Sequence, residues 1–311
     1  MTTNTEISKD ILAILGPTAS GKTRLAVALA AKLGGEIVSA DSRQVFRGMD
    51  IGSGKDLHEY GHVPYHLIDI LDAGGEFSVF DFQRRALKAF ADIKSRNGSP
   101  ILCGGSGLYL DAILRGYRLV EVPHNESLRA ELATKSDSAL IEELWRLKPG
   151  QHNSTDLLNR ERTIRAIEIA RGELESGTTC EAPPQLQAVT IGIHWEREEL
   201  RRRITDRLRE RLNNGMIEEV ERLHACGIAW DRLDYYGLEY RYVGAYLRGS
   251  MDKNDMFQRL NSAIHNFAKR QGNWFRRMER HGVSINWIKG DGDQVVQALN
   301  IVRDHNKGRH S

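Results

Sequence analysis

The stretch Gly16-Pro17-Thr18-Ala19-Ser20-Gly21-Lys22-Thr23 sets two glycines, a lysine and a threonine at the spacing G-x-x-x-x-G-K-[ST]. A turn of that composition points several backbone N–H groups at one phosphate or diphosphate, and a helix starting at its end adds partial positive charge. Lys22 contributes a full charge, and the Thr23 hydroxyl can bind a phosphate oxygen or an accompanying Mg²⁺. Gly16 to Thr23 therefore reads as a diphosphate- or nucleotide-binding loop, with ATP among the candidates. Such a loop says what is held and leaves open which bond breaks. Asp41, in Asp41-Ser42-Arg43-Gln44, is a second candidate, as metal ligand, general base or ordinary turn aspartate. A third segment is Gly104-Gly105-Ser106-Gly107. A P-loop ATPase carries an aspartate near such a position to hold Mg²⁺. The glycine here counts against nucleotide hydrolysis, although Asp41 could serve instead.

These residues need a frame that brings them together. An apolar run, 11–15, precedes the loop, and 24–31 has helical character after it, which is the strand–loop–helix context a P-loop requires. The runs 36–40, 100–103 and 189–195 read as further buried parallel strands. In an open α/β sheet the ligand crevice lies beyond the carboxyl ends of the strands, so Asp41 is expected beside the P-loop. Ser78-Val79-Phe80-Asp81 reads as a capping box opening a helix to about 97. Its apolar positions Phe82, Ala86, Ala89, Phe90 and Ile93 recur at core spacing. Residues 46–55 read as a loop. From about 118 the pattern turns helical (126–134, 138–147, 156–172), and Glu181-Ala182-Pro183-Pro184 marks a return. The expected fold is α/β: a P-loop NTPase-like parallel sheet core (1–117), an inserted helical lobe (118–186), and completion of the core with basic C-terminal helices (187–311).

Charge is local in this chain. The net charge of +2 over 311 residues announces no nucleic-acid binder by itself. Yet Arg160, Arg162, Arg165 and Arg171 fall along one side of a helix, where a solvated face is the default reading. Leu200 to Leu208 is strongly basic, and 256–280, read as the C-terminal helix, interleaves Lys269, Arg270, Arg276, Arg277 and Arg280 with Trp274 and Phe275. Basic residues among aromatics suit a polyanion with bases to stack on. His58, His62 and His66 are spaced as helical metal ligands would be, but Gly61 and Pro64 interrupt the helix they need. Cys103, Cys180 and Cys226 offer neither a disulfide framework nor a zinc site. Residues 1–10 lack the apolar core of a signal peptide, and no apolar run reaches membrane-span length, so a cytoplasmic location is expected.

Taken together the motifs resemble one family, the tRNA dimethylallyltransferases. The matching segments are Gly16 to Thr23, Asp41 to Gly52, His66-Leu67-Ile68-Asp69, Gly104 to Tyr109, Arg162-Thr163-Ile164-Arg165-Ala166, and Ala268-Lys269-Arg270-Gln271 before Trp274. The resemblance implies transfer of a dimethylallyl group from dimethylallyl diphosphate to N6 of the adenine 3′ to the anticodon. It implies Asp41 as general base, the P-loop with Lys22 and Thr23 on the diphosphate, Arg203 neutralising its growing charge, and Mg²⁺ at Thr23. It further implies tRNA contacts from Asp41, Ser42, Arg43, Gln44, Ser106, Arg129, Arg162, Arg165 and Arg241, with the anticodon stem-loop as partner and a monomeric enzyme. The family's usual pattern is departed from at Leu238-Glu239-Tyr240-Arg241 (usually Leu-Gly-Tyr-Arg), at Ser53-Gly54-Lys55-Asp56 (usually Thr-Ala-Lys-Pro), and at Ser106 (usually threonine). The Cys/His finger of eukaryotic members is missing, which makes the chain bacterial in type. Rival readings are an adenylate isopentenyltransferase acting on free nucleotide, a small-molecule kinase, and a non-catalytic RNA-binding protein with a relict P-loop.

Overall fold

The computed structural model describes residues 11–149, 160–176 and 183–307. Cys180, Glu181, Ala182, the polar residues 1–10 and positions 156–159 of the expected third lobe helix lie outside them. The chain divides into two compact units, Met1–Gly116 with Pro184–Ser311, and Tyr117–Pro183.

In the first unit the elements before the break are β1 (Ile11–Leu15), α1 (Lys22–Leu33), β2 (Gly35–Ala40), β3 (Phe46–Arg47), β4 (Tyr65–His66), β5 (Leu71–Asp72), α2 (Val79–Ser95), β6 (Ser99–Gly104) and α3 (Gly107–Leu114). The second unit holds α4 (Glu126–Ala133), α5 (Asp137–Leu147) and α6 (Arg160–Ser176). The first unit resumes with β7 (Ala188–His194), α7 (Arg197–Asn213), α8 (Met216–Ala225), α9 (Trp230–Tyr236), α10 (Leu238–Leu247), α11 (Lys253–Arg280), β8 (Asn286–Lys289) and α12 (Gln294–Lys307). The main sheet has the order β4-β2-β6-β1-β7-β8, every pair parallel. This is the P-loop NTPase-like arrangement, with β1 in the interior and the ends of β1, β6 and β2 side by side.

A strand buried on both faces reads as continuous apolar sequence, as β1 does. Its alternation sends Ile11, Ala13 and Leu15 to one layer, with α2, α3 and α11. Leu12 and Ile14 go to the other, with α1 and α12. Helix α2 begins at the capping box: the Ser78 hydroxyl accepts from the Asp81 N–H and the Asp81 carboxylate accepts from the Ser78 N–H. It buries Phe82, Ala86, Ala89, Phe90 and Ile93 and ends at Ser95. Phe82 stacks on Tyr109 with centroids 4.2 Å apart. Truncating such a ring to alanine costs about 3–5 kcal/mol. A third cluster gathers α7 to α11 around Val45, Phe46 and Met49.

Two expectations need correcting. Helix α11 is not the last, because β8 adds an edge strand beside β7 and α12 packs after it. The segment 46–55 is not wholly irregular, since β3 pairs with β5. No helix among the described residues is long and apolar enough to cross a membrane.

Candidate active site

The P-loop leaves β1 and turns through Ala19 (φ 61) and Gly21 (φ 88), two left-handed residues that gather successive N–H groups into an anion-binding concavity. Three side chains from distant parts of the chain fix it. The Gln271 carbonyl accepts from the Thr18 N–H at 2.9 Å, and its amide donates to the Gly105 carbonyl at 2.9 Å. One residue of α11 thereby couples the P-loop to the β6 turn. Trp195, just past β7, donates Nε1–H to the Ser20 carbonyl at 2.9 Å. Arg203 donates Nε–H to the Ala19 carbonyl at 3.0 Å while its guanidinium lies 4.2 Å from the Trp195 ring centroid. Among the described residues, no carboxylate hydrogen-bonds to Arg203, so its charge stands at the loop without a bonded acid. Lys22 donates Nζ–H to the Pro17 carbonyl at 3.3 Å. Burial lowers its pKa below the ordinary lysine range; Arg207 and Arg211 push the same way and Asp41 opposes them.

Asp41 follows the last residue of β2, and its Oδ1 accepts the Arg43 N–H at 2.9 Å. Ser106 joins the two neighbouring strand ends, its N–H donating to the Ala40 carbonyl at 3.3 Å and its hydroxyl accepting from the Ser42 N–H at 3.2 Å. Gly107 must be glycine, because a Cβ there would overlap the Trp274 ring. That contact corrects one expectation. Trp274 packs on Gly107 and Phe275 is fully buried, so these two aromatics of α11 serve packing and are not an open stacking face.

The remaining candidates divide by what they touch. Arg43 donates Nη2–H to the Tyr235 carbonyl at 3.0 Å, and Arg241 is exposed, donating to the Asp234 carbonyl at 3.3 Å. Gln44 is buried; its carbonyl accepts from the Ser39 hydroxyl at 2.8 Å and its amide donates to the Gly54 carbonyl at 3.1 Å, so it supports the loop from within. The same loop is pinned by Lys55, 1% exposed, which donates to Asp50, Asp69 and the Phe46 carbonyl. Glu219 of α8, equally buried, accepts the N–H groups of Asp50, Ile51 and Gly52. Nothing in the local sequence singles out Glu219, whereas Gln271 and Lys55 lie inside segments that the family resemblance covers or borders.

Helix α7 presents Arg203, Arg207 and Arg211 at intervals of four, one face of the helix. Arg207 pairs with Asp56 and Arg211 with Glu239 at 3.8 Å. Gly54, at φ +66, packs so closely on Arg211 that a Cβ would overlap the guanidinium. Glu239 is therefore not presented to solvent as a lone acid. Burial raises its pKa, and Arg211 draws it back.

In the helical unit, Arg129 and Arg165 both bond to Glu168, which is 1% exposed on its side chain. Burial pushes Glu168 up, but hydrogen bonds from Arg129, the Asn125 N–H and Arg165 outweigh it and hold the carboxyl at about 2. Arg171 pairs with buried Glu143, and Arg160 with Asp137 and the carbonyls of Ala133 and Lys135. The expected solvated arginine face is thus largely a set of half-buried clamps, with exposed Arg162 beside them. Of the three histidines, His58 lies in a 3₁₀ turn and His66 in β4, bonded to Glu36 at 2.7 Å. Among the described residues no group of three or more His, Cys, Asp or Glu could hold a metal.

A glycine-rich loop after the central β1, a carboxylate after β2 and no aspartate directly after β6 place the chain in a class: a protein of P-loop NTPase-like fold with a carboxylate near the loop. The IPP transferase family model matches residues 44–278, and the chain belongs to that family. It is 63% identical to tRNA dimethylallyltransferase 2 of Trichlorobacter lovleyi, over 95% of this chain and 97% of that one. The solved structure of the full-length tRNA isopentenylpyrophosphate transferase of Bacillus halodurans is 32% identical, with a TM-score of 0.70 over 98% of this chain and 100% of that one. A eukaryotic dimethylallyltransferase acting on tRNA shares the fold at 20% identity, with a TM-score of 0.76 over 97% of this chain and 80% of its own.

Proposed function

We propose that this chain transfers the dimethylallyl group of dimethylallyl diphosphate to N6 of the adenine 3′ to the anticodon of tRNA, releasing diphosphate. The observation that carries the reading is that Lys22, after β1, and Asp41, after β2, lie within electrostatic reach of each other at the ends of the two strands that flank β6. One group suits a diphosphate, the other an amine proton.

In this reading the C1–O bond of the donor breaks as the N6–C1 bond forms, and Asp41 takes the N6 proton. The adenine amine is a poor nucleophile because its lone pair is delocalised into the ring, so a positioned carboxylate is worth about 10²-fold or more. The P-loop N–H groups, Lys22 and Arg203 stabilise the departing diphosphate where its charge grows. The Thr23 hydroxyl is a hard oxygen donor beside that diphosphate and fits Mg²⁺, which would add charge neutralisation there. Ser42, Arg43, Ser106, Arg162 and Arg241 are proposed to meet tRNA. Gln44, Arg129 and Arg165 act in the same surfaces as supports, given what they already hold. The curated relatives' tRNA names favour this reading over a free-nucleotide transferase.

A stacked adenine cannot reach Asp41, so the base is turned out of the loop at a cost of roughly a few kcal/mol. The test offers labelled dimethylallyl diphosphate with an anticodon stem-loop, the same stem-loop carrying guanine at the target, or AMP. Label should enter only the first, since guanine has an oxygen where adenine has N6. Equal prenylation of AMP would make the chain a free-nucleotide transferase.

A further inference from the structure

Tyr235 lies in the last turn of α9 with 49% of its surface exposed, whereas the adjacent Tyr236 is fully buried with its hydroxyl bonded to the Gly74–Gly75 turn. Two guanidiniums hold the exposed ring: Arg43 lies 5.2 Å and Arg232 5.0 Å from its centroid. Arg43 also bonds to the Tyr235 carbonyl, and its own N–H is held by Asp41. The ring is thus tied to the candidate base through one residue. The aromatics of α11 that the sequence offered for stacking are packed on Gly107 and in the core.

We propose that Tyr235 is the stacking platform for the base adjoining the target adenine; this rests on the tRNA reading above. Turning the adenine out toward Asp41 strips its neighbour of a stacking partner. The exposed surface of Tyr235, fixed by Arg43 and by Arg232, which pairs with Glu76, replaces that partner, and Arg43 suits a flanking phosphate. An aromatic face accepts any base, so the platform supplies position and not sequence choice. Arg43 and Arg232 would remain in place without the ring, so charge and stacking are separable.

The experiment compares wild type with Tyr235→Phe, which keeps the ring, and with Tyr235→Leu and Tyr235→Ala, which lose it. KM for an anticodon stem-loop should rise about 5- to 100-fold in the Leu and Ala variants. It should stay near wild type in the Phe variant, with KM for dimethylallyl diphosphate unchanged in all. Stem-loops carrying 2-aminopurine in turn at each neighbour of the target report the stacking directly. One of them should be quenched on binding to wild type and Tyr235→Phe, and not on binding to Tyr235→Ala. Wild-type KM and quenching in Tyr235→Ala would overturn the platform while leaving the tRNA reading intact. Failure of the wild type itself to prenylate the stem-loop, with AMP accepted instead, would remove the reading and the platform together.

Discussion

Arginine does two different jobs in this chain, and a clear case of each comes from a different unit. Beside the P-loop, Arg203 bonds to a backbone carbonyl and lies on Trp195, and Arg43 bonds to a carbonyl and lies near Tyr235. Those partners orient a guanidinium without cancelling its charge. In the helical unit, Arg129, Arg165 and Arg171 face the buried carboxylates Glu168 and Glu143, which do cancel it. The same residue type is kept available for an anion in one place and built into the fold in the other. What decides is the partner, which a run of arginines in sequence does not disclose.

The sharpest division between the regions should come from Asp41→Asn. Single-turnover transfer to the stem-loop should fall by about 10²-fold or more, with stem-loop binding and the unfolding midpoint near wild type. Near-normal transfer would take Asp41 out of the mechanism. In the helical unit the large effect should be on stability. Glu168→Gln leaves two guanidiniums without their acid and should cost about 2–3 kcal/mol, less than a fully buried pair because both arginines reach water. Loss of amide-exchange protection in α6 reads it; unchanged protection would make the clamp decorative. The same carboxyl gives an acid signature. Its folded pKa of about 2 lies below the ordinary 4.5, so its contribution is complete above 4.5 and disappears as pH falls toward 2. Exchange in α6 should rise through that window in wild type and show a weaker pH dependence in Glu168→Gln.

A smaller effect concerns the crevice wall. Gly54→Ala forces a Cβ into Arg211, so Gly54→Ala and Arg211→Ala should couple by about 1–2 kcal/mol in a double-mutant cycle. Additive costs would mean that Arg211 swings aside freely. The smallest effect separates available from committed charge. Replacing the exposed Lys269 of α11, Lys269→Ala, should lower the slope of log affinity for tRNA against log salt by about 0.7–0.9, one phosphate contact. Arg171→Ala should leave that slope alone. Equal slopes for both variants would erase the distinction between available and committed charge.

The sheet was legible because strands buried on both faces are continuously apolar, and because the P-loop spacing identifies the strand and helix on either side of it. The edge strand β8 escaped since Asn286–Lys289 is four residues long and half polar, pairing on one side alone. Asp41 could be placed from the strand it follows. Gln271 as a clamp between two loops could not, because it depends on the meeting of Thr18 and Gly105 with a residue more than 160 positions away. Trp274 and Phe275 misled for the same reason. Interleaving with arginines is what an exposed stacking surface and a buried amphipathic seam have in common, and the tight approach of Gly107 chose the second.

Three of the positions where this chain leaves the pattern it otherwise resembles are less scattered than they look in sequence. Gly54, Asp56 and Glu239 converge on Arg207 and Arg211. A Cβ at position 54 would crowd the Arg211 guanidinium, and Glu239 without Arg211 would be an acid buried without its cation. The cost of changing any one of these residues therefore depends on which residues stand at the others.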